Sequence, residues 1–356
     1  MPRSPRARCA LIALALAACS TPSSELDGGD LMGVFDHKDA SVDAASEAGA
    51  KDAGRIKDAS APPPSAPAPS ATPRAPTEGS CVAAEGLPDT EIKRTLGRPA
   101  CRSSDVLEWK DANGAPRYAC VVSPPGVETR APLPLVVYFH AEDEDPSGVD
   151  KRTGLRKLAA RFDMTGDPAH TGFIVLAPQG RRLRAGKAGN AFDDDYTGED
   201  NVDLATVDHF VAALDARNLV DKRRVYALGS RKGGHMAATY AMMRADRVAA
   251  FATYGADAPR ASWTCPGPPP PALFVYRACD QIAPCDSVER WIRAREAISA
   301  ETLGLRLGAA NGEEPSCALN KKCTAIVGTA NHHRWPKGRE EDIMRFLARH
   351  TLTVRQ

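Results

Sequence analysis

Short apolar runs and longer amphipathic segments alternate along residues 133–350 of the chain. The apolar runs are rich in β-branched and aromatic residues and predict buried strands at 134–140, 172–178, 224–228, 249–254 and 272–276. Apolar residues at helical spacing predict helices at 204–214, 235–244, 287–300 and 339–350. Strands that are apolar throughout and alternate with helices are typical of an α/β fold, in which a mostly parallel central sheet has helices on both faces.

The beginning of the chain has the pattern of an export signal. Three arginines within residues 3–8 precede an apolar stretch, residues 10–18, that is too short to cross a bilayer as a helix. Residues 16–19 read Leu-Ala-Ala-Cys, which resembles the bacterial lipobox and implies that Cys19 becomes the lipid-modified first residue of the mature protein. An ordinary cleaved signal with a chance cysteine is the alternative. Ser20 follows the cysteine, and by resemblance to Gram-negative lipoproteins this favours the outer membrane.

Residues 19–80 are predicted to form a disordered tether behind this anchor. Residues 57–80 contain no Val, Ile, Leu or Phe, and residues 61–76 are almost entirely Ala, Pro and Ser. Such a composition cannot bury enough apolar surface to offset the entropy lost on ordering, and its prolines keep the chain extended. The predicted organisation is a signal peptide at 1–18, a lipid-anchored tether at 19–80 and a single α/β domain at 81–356.

The cysteines agree with export to an oxidising compartment. Ten are present, and apart from Cys9 and Cys19 they are Cys81, Cys101, Cys120, Cys265, Cys279, Cys285, Cys317 and Cys323. An even set in an exported chain predicts disulfides, and the pairs 279/285 and 317/323 could close short local loops, although the sequence does not determine the connectivity. Zinc is the alternative, but no pair has C-x-x-C spacing.

Charge and composition narrow the range of partners. The 46 Lys and Arg residues and the 45 Asp and Glu residues are interspersed and give a formal net charge of +1. A balanced, mixed surface gives no reason to expect nucleic acid as a partner. We expect no cofactor or metal, a membrane contact through Cys19, and a small-molecule or polymer ester as ligand.

The turn after the third predicted strand carries the most specific chemistry. Residues 225–234 read Val-Tyr-Ala-Leu-Gly-Ser-Arg-Lys-Gly-Gly, which fits the G-x-S-x-G nucleophile elbow if Gly229 and Gly233 are its two glycines. The residue at the tip is then Arg231, whose guanidinium stays protonated and has no lone pair with which to attack a carbonyl. A shift of one residue would bring Ser230 to the tip but would misplace Gly233. Otherwise Ser230 satisfies a backbone group in the turn.

Several further segments occur in a recognisable order: residues 133–140 (LPLVVYFH), 177–179 (APQ), 201–208 (NVDLATVD), 221–226 (DKRRVY), 233–234 (GG) and 333–336 (HRWP). Together they resemble the secreted esterases related to polyhydroxybutyrate depolymerase and feruloyl esterase. The resemblance extends from about Leu133 to the C-terminus and implies an α/β-hydrolase fold. It also implies that the nucleophile position is Arg231, because residues 224–234 align without a gap.

The same resemblance supplies the remaining catalytic positions. Asp280 follows the fifth predicted strand and corresponds to the acid, and His333 fits the family's H-x-W-P pattern and corresponds to the base, with Asp280 holding its ring. The order nucleophile, acid, histidine is that of this fold. A shift of one residue would select His332 instead. The two histidines could also begin a metal site, but no third ligand has suitable spacing.

The oxyanion region departs from the family as well. The resemblance places it at His140, Ala141 and Lys232, with Ala141 where the family has glycine. Four carboxylates, residues 142–145, follow directly and would oppose a developing oxyanion if they faced the site. Arg231 could pair with these carboxylates or with an anionic ligand.

Residues 193–201 place oxygen side chains at positions one, three, five and nine, and Gly198 at position six, of a calcium-loop pattern. The twelfth position is Leu204, so the bidentate glutamate is missing, and a solvated acidic loop is the preferred interpretation.

Two functions follow from the sequence. The preferred one is a surface-anchored α/β-hydrolase-like protein whose hydrolytic chemistry is lost or severely weakened and whose pocket binds a ligand. The alternative is an active carboxylic ester hydrolase that uses Ser230, Asp280 and His333.

Overall fold

The computed structural model describes residues 72–75, 81–83, 87–92, 96–102, 105–183, 190–198, 200–259, 263–278, 280–307 and 332–353. Within these ranges the strands are β1 (Thr72–Arg74), β2 (Val82–Ala83), β3 (Val106–Lys110), β4 (Pro116–Val122), β5 (Leu133–Phe139), β6 (Ile174–Pro178), β7 (Arg181–Arg182), β8 (Asn190–Ala191), β9 (Val220–Ser230), β10 (Ala250–Tyr254), β11 (Trp263–Thr264), β12 (Ala272–Arg277), β13 (Thr302–Leu307) and β14 (His350–Leu352). The helices are α1 (Gly148–Lys151), α2 (Leu155–Ala159), α3 (Val202–Ala216), α4 (Lys232–Met243), α5 (Cys285–Ala297) and α6 (Glu340–Ala348). Short 3-10 turns lie at Val127–Thr129 and Pro168–His170.

Eight strands form the central sheet in the order β13-β12-β10-β9-β5-β6-β4-β3. All neighbouring pairs are parallel except those of β4, which runs antiparallel to both β3 and β6. This strand order, with helices on both faces, is the α/β-hydrolase fold that the sequence predicted. The carboxyl ends of β5, β9, β10 and β12 meet at one edge of the sheet, where α/β proteins carry their sites.

The apolar strands are buried because helices cover both of their faces. Every residue of β5 is buried, and its side chains alternate between two cores. Val137 and Phe139 pack with residues of α3, α4 and α5, whereas Val136 and Tyr138 pack with residues of α1, α2 and α6. A strand buried on both faces cannot show polar alternation, which is why β5 reads as one continuous apolar run.

The structure confirms the five predicted strands and four predicted helices, with shifted ends. The strand predicted at 224–228 runs from Val220 to Ser230, and the last predicted helix ends at Ala348, where β14 follows. Within the central sheet, the prediction missed β3, β4 and β13. The edge strand β13 contains Gly304 and Arg306 and is only partly buried, so it has no continuous apolar run.

The first described strand lies inside the segment predicted as tether. β1 pairs in parallel with β14, Thr72 against His350 and Arg74 against Leu352. The Arg74 guanidinium donates to the carbonyls of Ala245 and Val248, which follow the C-terminus of α4. A cation near these carbonyls is favoured because the C-terminal end of a helix is partially negative. The fold therefore begins before residue 81. Residues 1–71, with the predicted signal and Cys19, lie outside the described part of the chain.

Two disulfides lie within the described residues. Cys81 is bonded to Cys265 across 184 residues, and Cys101 to Cys120 across 19 residues. The structure thus confirms that disulfides occur in the chain. The suggested pairs 279/285 and 317/323 include residues outside the described part.

In the described part of the chain, we find no helix with both the length and the apolar content needed to span a bilayer.

Candidate functional site

Arg231 occupies the tip of the turn between β9 and α4. Its backbone has φ 54° and ψ −121°, a strained conformation for a residue with a side chain, at a cost of about 1–3 kcal/mol. The turn is tight because an added Cβ on Gly229 would overlap the carbonyl oxygen of Gly233, and one on Gly233 would overlap that of His140. The geometry is therefore that of a nucleophile elbow with both glycines in the predicted register, and the tip residue is an arginine.

Ser230 is the last residue of β9 and not the tip of the turn. It is buried and pairs in register with Tyr254 of β10. The next amide, that of Arg231, donates to the Tyr254 carbonyl at 2.7 Å and fixes this register. The structure thus keeps Ser230 one residue short of the position that a nucleophile would need.

The Arg231 side chain is buried and engaged at both terminal nitrogens. Its guanidinium contacts Nδ1 of His333, lies 2.8 Å from Oε1 of Glu144, and donates to the Glu142 carbonyl at 3.4 Å. The expected pairing of Arg231 with the carboxylates after His140 is thus confirmed for Glu144. Since an arginine cannot lose its proton in a protein, His333 Nδ1 must act as the acceptor in this contact.

The histidine beside Asp280 differs from the one expected. His332, which is 6% exposed, has its Nδ1 2.8 Å from Oδ2 of Asp280, whereas His333 is exposed and lies on Arg231. Asp280 Oδ1 accepts from the amides of Ile282 at 2.8 Å and Ala283 at 3.0 Å, so the carboxylate is oriented by backbone donors. A carboxylate accepts from Nδ1–H, which leaves the lone pair on Nε2 of His332. The expected Asp280–His333 pair is replaced by Asp280–His332.

Two residues that the sequence analysis did not identify, Arg277 and Tyr254, hold the backbone next to His333. Arg277, at the end of β12, donates from Nε to Tyr254 Oη at 2.7 Å and from Nη2 to the Arg334 carbonyl at 2.9 Å. Tyr254 Oη also donates to that carbonyl. The only sequence signal was an arginine that ends an otherwise apolar strand. These bonds fix the backbone directly after His333.

Two residues of the predicted oxyanion region, His140 and Lys232, use their side chains in contacts within the fold. His140 is fully buried; its Nδ1 bonds the Ala141 carbonyl at 2.8 Å and its Nε2 accepts from the Gly180 amide at 3.0 Å, so its ring is used by the backbone. Ala141 is also fully buried. Lys232 begins α4, and its ammonium lies 3.3 Å from Asp194. Among the described residues no acceptor takes the amide hydrogens of Lys232 and Gly233, as is usual in a first helical turn.

The segment 193–201, of which Glu199 lies outside the described residues, is only partly the solvated acidic loop that the sequence favoured, since Asp200 is exposed but other residues are buried. Asp193 is buried and accepts from the Asp89 amide at 2.8 Å, and Asp194 is buried beside Lys232. Asn201 caps α3 by accepting from the amides of Asp203 and Leu204. These side chains are committed to the fold, and among the described residues no group of three His, Cys, Asp or Glu side chains is placed to hold a metal ion.

His235 carries a charge on the floor of the site. Its Nδ1 lies 3.2 Å from Asp194 and its Nε2 2.9 Å from Asp257, which also accepts from Ser287. Burial alone lowers the pKa of His235, but its bonds to the two carboxylates outweigh burial and raise the pKa to about 9. The ring is therefore cationic at neutral pH.

These groups surround a cavity of about 480 Å³ at the carboxyl end of β9. Its lining is mostly charged or polar, with an apolar part limited to Ile282, Ala283 and Gly255. The other lining residues are Glu142, Asp143, Arg231, Lys232, His235, Asp257, His332 and His333. Such a lining suits a small polar ligand better than a long alkyl chain.

Acidification is expected to destabilise the protein through His140. Burial lowers the pKa of His140 from 6.5 to about 4. Because the folded-state pKa is depressed, the unfolded chain binds more protons between these values. The free energy of unfolding therefore falls as the pH drops through this window, by about 3 kcal/mol at most. Urea denaturation at about pH 7 and about pH 4.5 measures the loss, which should be smaller in His140→Asn. An equal loss in both proteins would contradict this role.

No protein-family model matches the chain, and no curated protein matches it. Among solved structures, a thermophilic esterase from the Planctomycetes species Thermogutta terrifontis is 14% identical, covers 59% of this chain and 83% of its own, and has a TM-score of 0.47. Esterase 2 of Thermogutta terrifontis phosphorylated by paraoxon is 16% identical over 63% of this chain and 92% of its own, with a TM-score of 0.47. So distant a likeness says nothing about the chemistry of this site.

Proposed function

We propose that this protein is a membrane-anchored binding protein built on an α/β-hydrolase fold, with ester hydrolysis lost or severely weakened. The observation that carries the proposal is the Arg231 guanidinium at the elbow tip. Acyl transfer at this position needs a nucleophile that a neighbouring base can deprotonate. Arg231 offers no lone pair, and its guanidinium is held by the buried Glu144.

The retained Asp280–His332 pair is the observation that favours the alternative, an active carboxylic ester hydrolase. A histidine oriented by a buried carboxylate is half of a catalytic triad. The candidate nucleophile, however, is Ser230, which lies within β9 and is followed by the strained tip. The proposal therefore treats the His–Asp pair as a surviving part of a site whose nucleophile is absent.

Hydrolysis of p-nitrophenyl acetate and butyrate tests the proposal directly. We expect the purified protein to release p-nitrophenol at the same rate as its His332→Ala variant, because no nucleophile is present for His332 to activate. A fluorophosphonate probe should leave the folded protein unlabelled. Turnover that depends on His332, or labelling at Ser230, would establish the active esterase instead.

The proposed membrane anchor rests on the lipobox-like residues 16–19 and on the Ala-, Pro- and Ser-rich residues that follow. In a Gram-negative host we expect the full chain to fractionate with membranes and to incorporate a labelled fatty acid, since one lipidated cysteine with its acyl chains holds a protein on a bilayer. Cys19→Ser should release the protein to the soluble fraction. Membrane association that survives this substitution would exclude the lipid anchor.

A further inference from the structure

Two guanidinium groups share one carboxylate beside the elbow. Glu144 Oε1 lies 2.8 Å from Arg231 Nη2 and 3.1 Å from Arg152 Nη1. The side chains of Glu144 and Arg231 are only 7% and 9% exposed, whereas that of Arg152 is 51% exposed. Buried cations need a matching anion, because water does not reach them well enough to stabilise the charge. The buried Arg231 therefore depends on Glu144 as its charge partner, whereas the half-exposed Arg152 is also stabilised by water.

An incoming anion could replace Glu144 at Arg231 by a local exchange. If an anion binds the Arg231 guanidinium, Glu144 remains paired with Arg152. Each guanidinium then has its own acidic partner. Neither the free nor the bound state then leaves a buried charge unpaired, which is the condition that makes such a rearrangement inexpensive. Glu144 thus acts as an internal substitute for a ligand.

The surrounding cavity offers further donors to the same anion. The amides of Lys232 and Gly233 have no acceptor among the described residues and lie at the partially positive end of α4. His332 lines the cavity and is 6% exposed. Its Nδ1 donates to Asp280. Its Nε2 therefore carries a lone pair, so the donors to the anion are Arg231 and the two amides.

We propose that the ligand of this cavity is a small organic monocarboxylic acid, whose carboxylate binds Arg231 in place of Glu144. The planar guanidinium and the planar carboxylate match as a bidentate pair. Glu142 and Asp143 also line the cavity and would repel a second negative charge, which selects a monoanion over a dianion such as phosphate. The inference rests on the proposed function, since it takes the cavity to be a binding site.

Calorimetric titration at constant ionic strength tests this inference, with butyrate and benzoate as probes. Butyramide and benzamide serve as neutral controls of the same shape, and inorganic phosphate at about pH 8.5, where it is mostly doubly charged, as the dianion. We expect the acids to bind at least about tenfold more tightly than the amides and phosphate, because a charge-assisted bidentate contact contributes about that much.

Variants identify the residue responsible. Arg231→Gln should weaken butyrate binding by about tenfold or more, whereas Glu144→Gln should strengthen it several-fold by removing the internal competitor. Arg290→Gln, on the exposed face of α5 where Arg290 pairs with Asp286, is the matched control and should bind as the unmodified protein does. If Arg231→Gln does not fold, Arg231→Lys keeps the charge, loses the bidentate geometry and should still bind butyrate more weakly.

The inference is overturned if amides bind as well as acids, if Arg231→Gln leaves binding unchanged, or if Glu144→Gln weakens it. Failure of the proposed function is a separate result, His332-dependent ester turnover, and does not depend on any titration. An inert protein that ignores butyrate would therefore retain the proposed function and lose only the carboxylate ligand.

Discussion

Arg231→Ser is expected to create an esterase, raising p-nitrophenyl acetate hydrolysis at least about tenfold above that of the unmodified protein. The substitution places a hydroxyl at the strained elbow tip, which already has nucleophile geometry, and leaves the Asp280–His332 pair intact. Glu144 would keep Arg152 as its partner, so the substitution strands no buried charge. Initial rates against ester concentration measure the gain.

The two neighbouring histidines provide a matched pair of controls for this experiment. In the Arg231→Ser background, His332→Ala should reduce the rate by about 100-fold, because it removes the general base. His333→Ala should change the rate little, since His333 is exposed and bonds the guanidinium that is no longer there. The reverse ranking would show that His333 is the base, and a variant that stays inert while folding normally would show that the altered oxyanion region is by itself disabling.

Removal of the Cys81–Cys265 disulfide should cause the largest loss of stability of any single cross-link among the described residues. The bond closes a loop of 184 residues, for which the chain-entropy relation gives about 5 kcal/mol. The loop closed by Cys101–Cys120 spans only 19 residues and gives about 3 kcal/mol, so this pair is the natural comparison.

Urea denaturation of Cys81→Ala/Cys265→Ala and Cys101→Ala/Cys120→Ala checks this ranking. The first double variant should have the lower urea midpoint. Its free energy of unfolding should be about 2 kcal/mol lower than that of the second. Equal losses would mean that the unfolded chain is already compact between Cys81 and Cys265, so that the bond removes less entropy than its length implies.

The sequence predicted the parts of the fold that depend on burial on both faces. β5, β6, β10, β12 and the second half of β9 are buried between the two cores, and each appears as a mostly apolar run. β13 lies at the edge of the sheet, and its exposed positions admit Gly304 and Arg306, which hide the strand from a hydrophobicity pattern. The pairing of β1 was hidden for a related reason, because its contacts with β14 are made by the backbone.

The sequence predicted the residue at the elbow tip, but not which histidine pairs with Asp280. The spacing of Gly229 and Gly233 determines which residue lies at the tip, since neither position has room for a Cβ, and the structure agrees with the sequence there. The choice between His332 and His333 depends on which side of a tight turn faces Asp280. Adjacent residues point to opposite sides, and neither composition nor spacing records that direction.

The attachment of β1 has a mechanical consequence. β14, to which β1 is paired, contacts the amino-terminal half of β9 through the Tyr226 hydroxyl and the Arg223 carbonyl. Arg231 follows the other end of that strand, about 16 Å farther along at roughly 3.3 Å per residue. A force applied to the chain ahead of Thr72 would reach the β1–β14 pair and the bonds of Arg74 first. We therefore expect tension on the amino-terminal chain to act on the β1–β14 pair before it reaches the elbow and the cavity.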